Sequence, residues 1–208
     1  MASSRRRAIL GGALFGAAIA LARPAAAQET DAGDAPPAAD RARMRQAMHT
    51  YFEGEKREAW AFGAGGVLTV GGGAAMFAAH DDFYRGAAYP LVIVGAIELA
   101  AGIVLLVRTD AQVRDLDARL DAGKRAFLQL EQPRMEKVRS EFGLLAGVEL
   151  ALIVAGLGLA TYGAAQRDHT LTGIGGGVAL QSAAMLTFDM HASARADAYA
   201  AAIGAFGR

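Results

Sequence analysis

Four apolar runs of about twenty residues each constrain the fold of this chain more than any other feature. A soluble helix mixes apolar and polar residues around its circumference, whereas these runs are continuous and 53% of the whole chain is hydrophobic. Their length matches the ~20 residues that a helix needs to cross the ~30 Å hydrocarbon core of a bilayer. The sequence predicts membrane-spanning helices at residues 60–79, 87–107, 143–164 and 170–190.

The connections between these runs predict how the helices are arranged. Only residues 80–86 separate the first two runs, and only residues 165–169 separate the last two. Helices joined by such short turns must be antiparallel neighbours. The sequence therefore predicts an all-α, polytopic membrane protein with four transmembrane helices as two antiparallel hairpins, within residues 41–107 and 143–208.

The two hairpins resemble each other. Glu55-Lys56 precedes the first run as Glu136-Lys137 precedes the third, and Glu98 matches Gln181. Shared residues at nearly constant spacing indicate an internal duplication. Both copies would enter the membrane from the same side, which predicts a parallel repeat with its axis along the membrane normal.

The segment between the hairpins, residues 108–142, is predicted to be a polar helical stalk that resembles a coiled coil. Its apolar residues recur at alternating spacings of three and four and form a seam along one face of the helix, in which the small residue Gly123 occupies one position. They are Val113, Leu116, Leu120, Phe127 and Leu130. We expect Pro133 to break the helix so that the segment folds back. A similar seam from Ala192 to Phe206 predicts a C-terminal amphipathic helix.

The N-terminus has the pattern of an export signal. Residues 1–27 combine a basic start, a short apolar stretch and small residues that would permit cleavage after Ala27. A twin-arginine signal at Arg5-Arg6 and an uncleaved anchor helix remain alternatives. Residues 28–40 are acidic and contain proline, which predicts a disordered tether ending at Asp40, the expected N-cap of a helix from Arg41.

Two rules disagree on which side of the membrane the long polar segments lie. An export signal places every long polar segment outside, on the periplasmic face of a bacterial inner membrane. The positive-inside rule objects, because the long segments carry fifteen Lys and Arg residues and the two turns carry only Arg85 and Arg167. We follow the signal, since it acts first during insertion.

Among the polar residues of the apolar runs, the candidates for a functional role are Glu98, Glu149 and Gln181. An ionised carboxylate at bilayer depth is costly, so each must face the bundle interior, carry a proton or find a partner. Counting along the helices places Glu98 ~15 Å and Glu149 ~9 Å deep, so that their side chains could approach each other or point at lipid. They would either join helices through hydrogen bonds or carry a proton or cation.

The turns supply only weak candidates for a metal site. His80, Asp81 and His169 could ligate a divalent ion, but solvated turn residues are the commoner case. The chain has no cysteine and a net charge of +0, which argues against thiolate chemistry and against nucleic acid as a partner. No nucleotide-binding motif or catalytic grouping is present, so we expect neither an enzyme nor a cofactor.

Small residues at i,i+4 spacing favour close helix contacts. They form the series Gly65-Thr69-Gly73, Gly143-Gly147-Ala151 and Gly173-Gly177. The sequence therefore predicts a structural or interaction subunit that binds a protein partner or a second copy through its stalk and these faces. A small proton- or cation-handling membrane protein that uses Glu98 and Glu149 is the alternative.

Overall fold

The computed structural model describes residues 35–208, which form four long helices joined by short turns. The helices are α1 (Ala38–Phe77), α2 (Asp82–Ala122), α3 (Lys124–Gln166) and α4 (His169–Gly207). Each is long and apolar enough to cross a membrane. The prediction of an all-helical chain with four such helices is confirmed. The predicted signal at residues 1–27 and tether residues 28–34 lie outside the described part of the chain.

Every helix continues from an apolar stretch into a polar one without interruption. We call residues 60–107 and 143–190 the apolar half, and residues 35–59, 108–142 and 191–208 the polar half. The predicted span boundaries at Trp60, Val107, Gly143 and Met190 are therefore changes in composition within a helix and not helix ends.

The first helix begins earlier than the sequence predicted. The carbonyl oxygen of Pro37 accepts backbone hydrogen bonds from Asp40 and Arg41, both at 3.0 Å, and α1 begins at Ala38. The tether prediction is therefore wrong for residues 38–40, as is the assignment of Asp40 as N-cap. Proline favours the start of a helix because its φ angle is already helical and it needs no N–H acceptor.

The fold-back of the central segment occurs at Gly123, and its prediction at Pro133 is wrong. Gly123 separates α2 from α3 with φ 149° and ψ 165°, a conformation open almost only to glycine. Pro133 lies inside α3. The helix continues through it because the flanking side chains of Phe127 and Met135 are fully buried and hold the two turns in place.

Close backbone contacts define the helix arrangement. Gly66 of α1 lies against Gly95 of α2, and Gly102, seven residues further along α2, lies against Ala59, seven residues earlier in α1. These two helices are therefore antiparallel. In the same way Gly156 of α3 lies against Gly175 of α4. Helices α2 and α4 also contact each other, whereas no Cα atoms of α1 and α3 come within 8 Å.

The two halves of the molecule have opposite interiors. The polar half has a core of large apolar side chains, including Phe52, Leu116, Leu120, Phe127 and Met135. In the apolar half most buried positions hold glycine, alanine or a polar residue. Its large side chains point outward instead: Leu68 and Val107 are both 76% exposed, and Leu144 and Leu180 both 69%.

Candidate functional site

The interior of the apolar half contains a polar cluster formed by three helices. The amide Nε2 of Gln181 on α4 donates a hydrogen bond to Oε1 of Glu98 on α2. The hydroxyl of Thr69 on α1 lies 3.2 Å from the other oxygen, Oε2. Glu98 is 7% exposed and Gln181 8%. Both oxygens of the Glu98 carboxyl therefore have a partner.

The hydroxyl of Thr69 can donate its single proton either to Glu98 or to the backbone. Thr69 has a single hydroxyl proton, and its Oγ1 also contacts the carbonyl oxygen of Gly65, which can only accept. If the threonine proton is donated to Gly65, the proton in the Thr69–Glu98 contact must come from Glu98. A protonated Glu98 then satisfies all four groups with no charge to bury.

Glu149 lies in the same part of the bundle as a second acidic residue. Asp189, near the end of the apolar run in α4, is an electrostatic neighbour of its carboxyl group. The approach of Glu149 to Glu98 stays a prediction, and the hydrogen-bond partners of the Glu98 oxygens are Gln181 and Thr69. Glu149 is 6% exposed. Among the described residues, no N–H or O–H group donates a hydrogen bond to its Oε2.

An ion pair lies beside this acidic pair, at the boundary with the polar half. Both terminal nitrogens of Arg195 on α4 donate to the carboxylate of Glu58 on α1, with Nη2 2.6 Å from Oε2. Gly54 makes room for the arginine, since a Cβ there would lie 2.5 Å from Cδ of Arg195. The bond to Glu58 raises the pKa of Arg195, and Glu58 also acts electrostatically on Asp189.

The polar half has a buried charged group of its own. Glu131 is fully buried, and Arg134 donates to its two oxygens at 2.7 and 2.5 Å. The guanidinium of Arg134 lies over the rings of Tyr51 and Phe52, 5.8 and 5.3 Å from their centroids. These contacts join α3 to α1 by charge–aromatic attraction. Although burial opposes the charge on Arg134, its bond to Glu131 raises its pKa.

Two stacked tyrosines complete this group. The rings of Tyr51 on α1 and Tyr199 on α4 lie 4.7 Å apart with an angle of 15° between their planes. Burial and the Glu55 carboxylate raise the pKa of Tyr51 to about 12. Burial, together with Glu131, also raises the pKa of Tyr199.

The prediction of a polar stalk over residues 108–142 did not single out Glu131 or Arg134, although a signal for their burial was present. Glu131 lies four residues after Phe127 and four before Met135, so all three share one face of α3. The charged pair therefore had to enter the core with these apolar neighbours.

Ion pairs also join α1 to α2 on the surface of the polar half. Arg45 contacts Asp117 at 2.9 Å and Asp121 at 2.6 Å, and Nε2 of His49 lies 3.0 Å from Asp117. Bonds to both aspartates raise the pKa of Arg45. Partly exposed pairs of this kind contribute little each, on the order of 0–1 kcal/mol, and mainly fix the register of the two helices.

Of the three turn residues that were weak metal candidates, Asp81 has a structural role. The carboxylate of Asp81 accepts a hydrogen bond from the backbone N–H of Phe83 at 2.8 Å and caps α2. Asp168 caps α4 in the same way through Leu171. Within residues 35–208 no group of three His, Cys, Asp or Glu residues, including His80 and His169, is placed to hold a metal ion.

Comparison of the chain with protein-family models, with characterised proteins and with solved structures finds no match. Its function is inferred from the contacts described above. Both oxygens of the Glu98 carboxyl have a partner, as expected of a structural contact between helices. Glu149 has a buried oxygen, Oε2, with no hydrogen-bond partner among residues 35–208.

Proposed function

We propose that this chain is a non-enzymatic, multi-pass membrane protein that serves as a structural or interaction subunit. Its apolar half would lie in lipid and its polar half in water. The observation that carries the proposal is the opposite organisation of the two halves. Leu68, Val107, Leu144 and Leu180 are exposed on the outside of the apolar half, while the polar half buries its large side chains.

The exposed apolar side chains would be unfavourable in water but are well accommodated in lipid. Each Å² of apolar surface left in water costs roughly 25 cal/mol, and soluble monomers rarely expose contiguous apolar patches above a few hundred Å². In a bilayer the same side chains are at no disadvantage, and close packing of small residues holds the helices together. The glycine contacts between α1 and α2 and between α3 and α4 supply such packing.

The proposal includes two repeated hairpins related by an approximate two-fold axis along the membrane normal. The contact between Glu98 and Gln181 supports this, because a residue beside a two-fold axis meets its own counterpart across it. The central position of α2 and α4 fits the same symmetry. The export signal favours a bacterial inner membrane, with the polar half on the periplasmic side.

The outer face of α3 is the surface we propose for association with another helix. Gly73, Gly173 and Gly177 already lie against neighbouring helices, whereas a Cβ at Gly143 or Gly147 would meet nothing within 4 Å. The apolar seam of the stalk is buried in the chain's own core, so a partner must use a different surface. Gly143, Gly147 and Ala151 would let the partner's backbone approach closely.

The Glu98 contacts favour this structural role over proton or cation transfer at that residue. Its carboxyl is held by Gln181 and Thr69 from two other helices. Interhelical hydrogen bonds of this kind contribute about 0.6–2 kcal/mol in lipid.

Cross-linking within the membrane tests the interaction surface. A cysteine introduced at Ala151, in a chain that has no other, should form a cross-linked species with a second copy or another subunit. Gly147→Leu should abolish that species without lowering thermal stability, because the new side chain meets no atom of its own chain. Gly176→Leu on α4, also open, is the matched control and should leave the cross-link intact. A Gly147→Leu protein that cross-links as efficiently as the parent would contradict this surface.

A further inference from the structure

We propose that the partner at the outer face of α3 is α1 of a second copy of this chain, so that copies associate through the outer faces of these two helices. The inference rests on the proposed function and deepens it, because it names the partner of the surface that contains Gly147 and Ala151. Two observations carry it. Side-chain sizes along the two faces are complementary, and so are the exposed charges that adjoin them in the polar half.

The outer faces of α1 and α3 are separate surfaces of one molecule. Helix α1 packs against α2, α3 packs against α4, and no Cα atoms of α1 and α3 come within 8 Å of each other. Both helices run from the polar half into the apolar half. Copies inserted into a membrane in the same way are parallel and at the same depth, so α1 of one copy would meet α3 of the next in parallel and at a fixed height.

Residues of α1 and α3 that are 83 positions apart in sequence lie at the same depth. Trp60 and Gly143 begin the apolar half in the two helices. The contact of the Arg134 guanidinium with the ring of Tyr51, 83 residues earlier, shows the same register in the polar half. Five pairs of exposed residues at equal depth follow, with the α1 member first: Ala61 and Leu144, Ala64 and Gly147, Leu68 and Ala151, Gly71 and Val154, Ala75 and Gly158.

None of these pairs combines two large side chains. Leu144 of α3 is level with Ala61, and Leu68 of α1 is level with Ala151, so each helix offers a leucine to a small residue of the other. Small residues opposite large ones allow two membrane helices to pack closely without a clash. Two α3 helices related by a two-fold axis would instead place Leu144 against Leu144, and two α1 helices Leu68 against Leu68.

The exposed charges in the adjoining part of the polar half favour the same pairing. Glu53 of α1 is level with Glu136 and Lys137 of α3, and Arg57 lies about one helical turn nearer the membrane. Neighbouring copies can therefore pair Glu53 with Lys137 and Arg57 with Glu136. Contacts between two α1 helices would place Arg57 against Arg57, and contacts between two α3 helices Lys137 against Lys137. Like charges at these positions oppose both alternatives.

Association through two different faces does not stop at a dimer. Each copy in a pair retains one free outer face, on α1 or on α3, and that face can bind a further copy. Head-to-tail interfaces of this kind generate a closed ring or an extended row. The resulting assembly in the plane of the membrane contains more than two copies.

Disulfide formation between introduced cysteines tests the pairing, because the native chain has no cysteine. Full-length Leu68→Cys and Ala151→Cys copies with different tags are produced together, and isolated membranes are oxidised mildly. We expect a mixed disulfide between the two copies. A disulfide requires Cα atoms roughly 4.4–6.8 Å apart, so these positions cannot be joined within one chain. A chain that carries both substitutions should therefore give dimers, trimers and larger species that a reducing agent dissociates.

Leu180→Cys is the matched control on another helix. Leu180 is exposed on α4 at the depth of Leu68, since the adjacent residues Gln181 and Thr69 both contact Glu98. In lipid it is as accessible to oxidation as Ala151, but it lies outside the proposed interface. A Leu180→Cys copy should form no disulfide with a Leu68→Cys copy.

The outcomes separate this pairing from its alternatives. Gly147→Leu, added to the Ala151→Cys copy, should abolish the mixed disulfide because the new side chain fills the space opposite Ala64. Disulfides only between two Ala151→Cys copies would overturn the pairing with α1 while leaving α3 as the interaction surface. No disulfide in any combination, or an equal yield with Leu180→Cys, would overturn self-association. The cross-link from Ala151→Cys to a different subunit, described above, then decides separately whether the α3 face binds another protein.

Discussion

The side-chain amide of Gln181 donates a hydrogen bond to the carboxyl of Glu98, 83 residues earlier in the chain. The two residues lie in the apolar parts of α4 and α2, and their side chains are the same length. This contact joins α2, in the first part of the sequence, to α4, in the second part, within the interior of the apolar half. It also makes Glu98 the residue whose substitution best separates a structural role from a titrating one.

Glu98→Gln should preserve the bundle. The new amide oxygen can accept from Gln181, and the new amide nitrogen can donate to Thr69 as a protonated Glu98 does. We expect thermal stability in detergent equal to the parent or slightly higher. Glu98→Leu, which loses both bonds, should cost about 0.6–2 kcal/mol. Proton or cation flux in proteoliposomes that the parent shows and Glu98→Gln lacks would contradict a structural role.

Adjacent glycines in α1 should respond oppositely to alanine. A Cβ at Gly66 would lie 2.6 Å from the carbonyl oxygen of Gly95 and from the backbone nitrogen of Leu99, so α1 and α2 would have to separate. We expect Gly66→Ala to destabilise by roughly 1–3 kcal/mol. Gly65→Ala meets nothing within 4 Å and should be neutral or stabilising by up to ~1 kcal/mol. Equal thermal stabilities for the two variants would show that the helices are not packed this closely.

The sequence predicted the helices and the apolar segments well because composition determines both. Blocks of apolar residues identify helices able to cross a membrane regardless of tertiary contacts. The partners of polar side chains depend instead on helix rotation, which the sequence does not reveal. The sequence therefore did not reveal that Gln181 and Thr69 hold the Glu98 carboxyl from two other helices.

The turn at Gly123 gives a second pair of opposite expectations. Gly123→Ala forces a side chain into φ 149°, which should destabilise the protein by roughly 1–3 kcal/mol. Pro133→Ala restores a backbone N–H inside α3 and should leave stability unchanged or raise it. Chemical denaturation of both variants provides the comparison. A larger decrease in the free energy of unfolding for Pro133→Ala than for Gly123→Ala would instead support a fold-back at Pro133, as the sequence predicted.

The sequence misplaced this turn for a physical reason. Gly123 fell on the apolar seam, where a glycine can also serve as a small core residue, and proline is the stronger helix breaker on average. Packing decided otherwise, since Leu120 before the turn and Phe127 after it are both fully buried. Long-range contacts of this kind override local propensity.

Alkaline pH should weaken the polar half through Tyr51. Its pKa rises from 10.0 to about 12 in the folded protein, mainly through burial. Between these values the unfolded chain releases the tyrosine proton while the folded chain keeps it, so the free energy of unfolding falls as pH increases. The loss should be on the order of 2 kcal/mol. Tyr51→Phe should reduce this loss, while leaving stability at pH 8 close to that of the parent. An identical decline in both proteins would contradict the assignment.

Water accessibility of two outward-facing positions tests the membrane placement most directly. Leu68 is 76% exposed in the apolar half, and Gln129 is exposed in the polar half, so in water both would be accessible. The chain has no native cysteine. In leaky native membranes, a water-soluble maleimide should modify Gln129→Cys rapidly and Leu68→Cys hardly at all, because lipid covers the second site. Denaturation in detergent should make the two react equally. Rapid modification of Leu68→Cys in the native membrane would contradict the account.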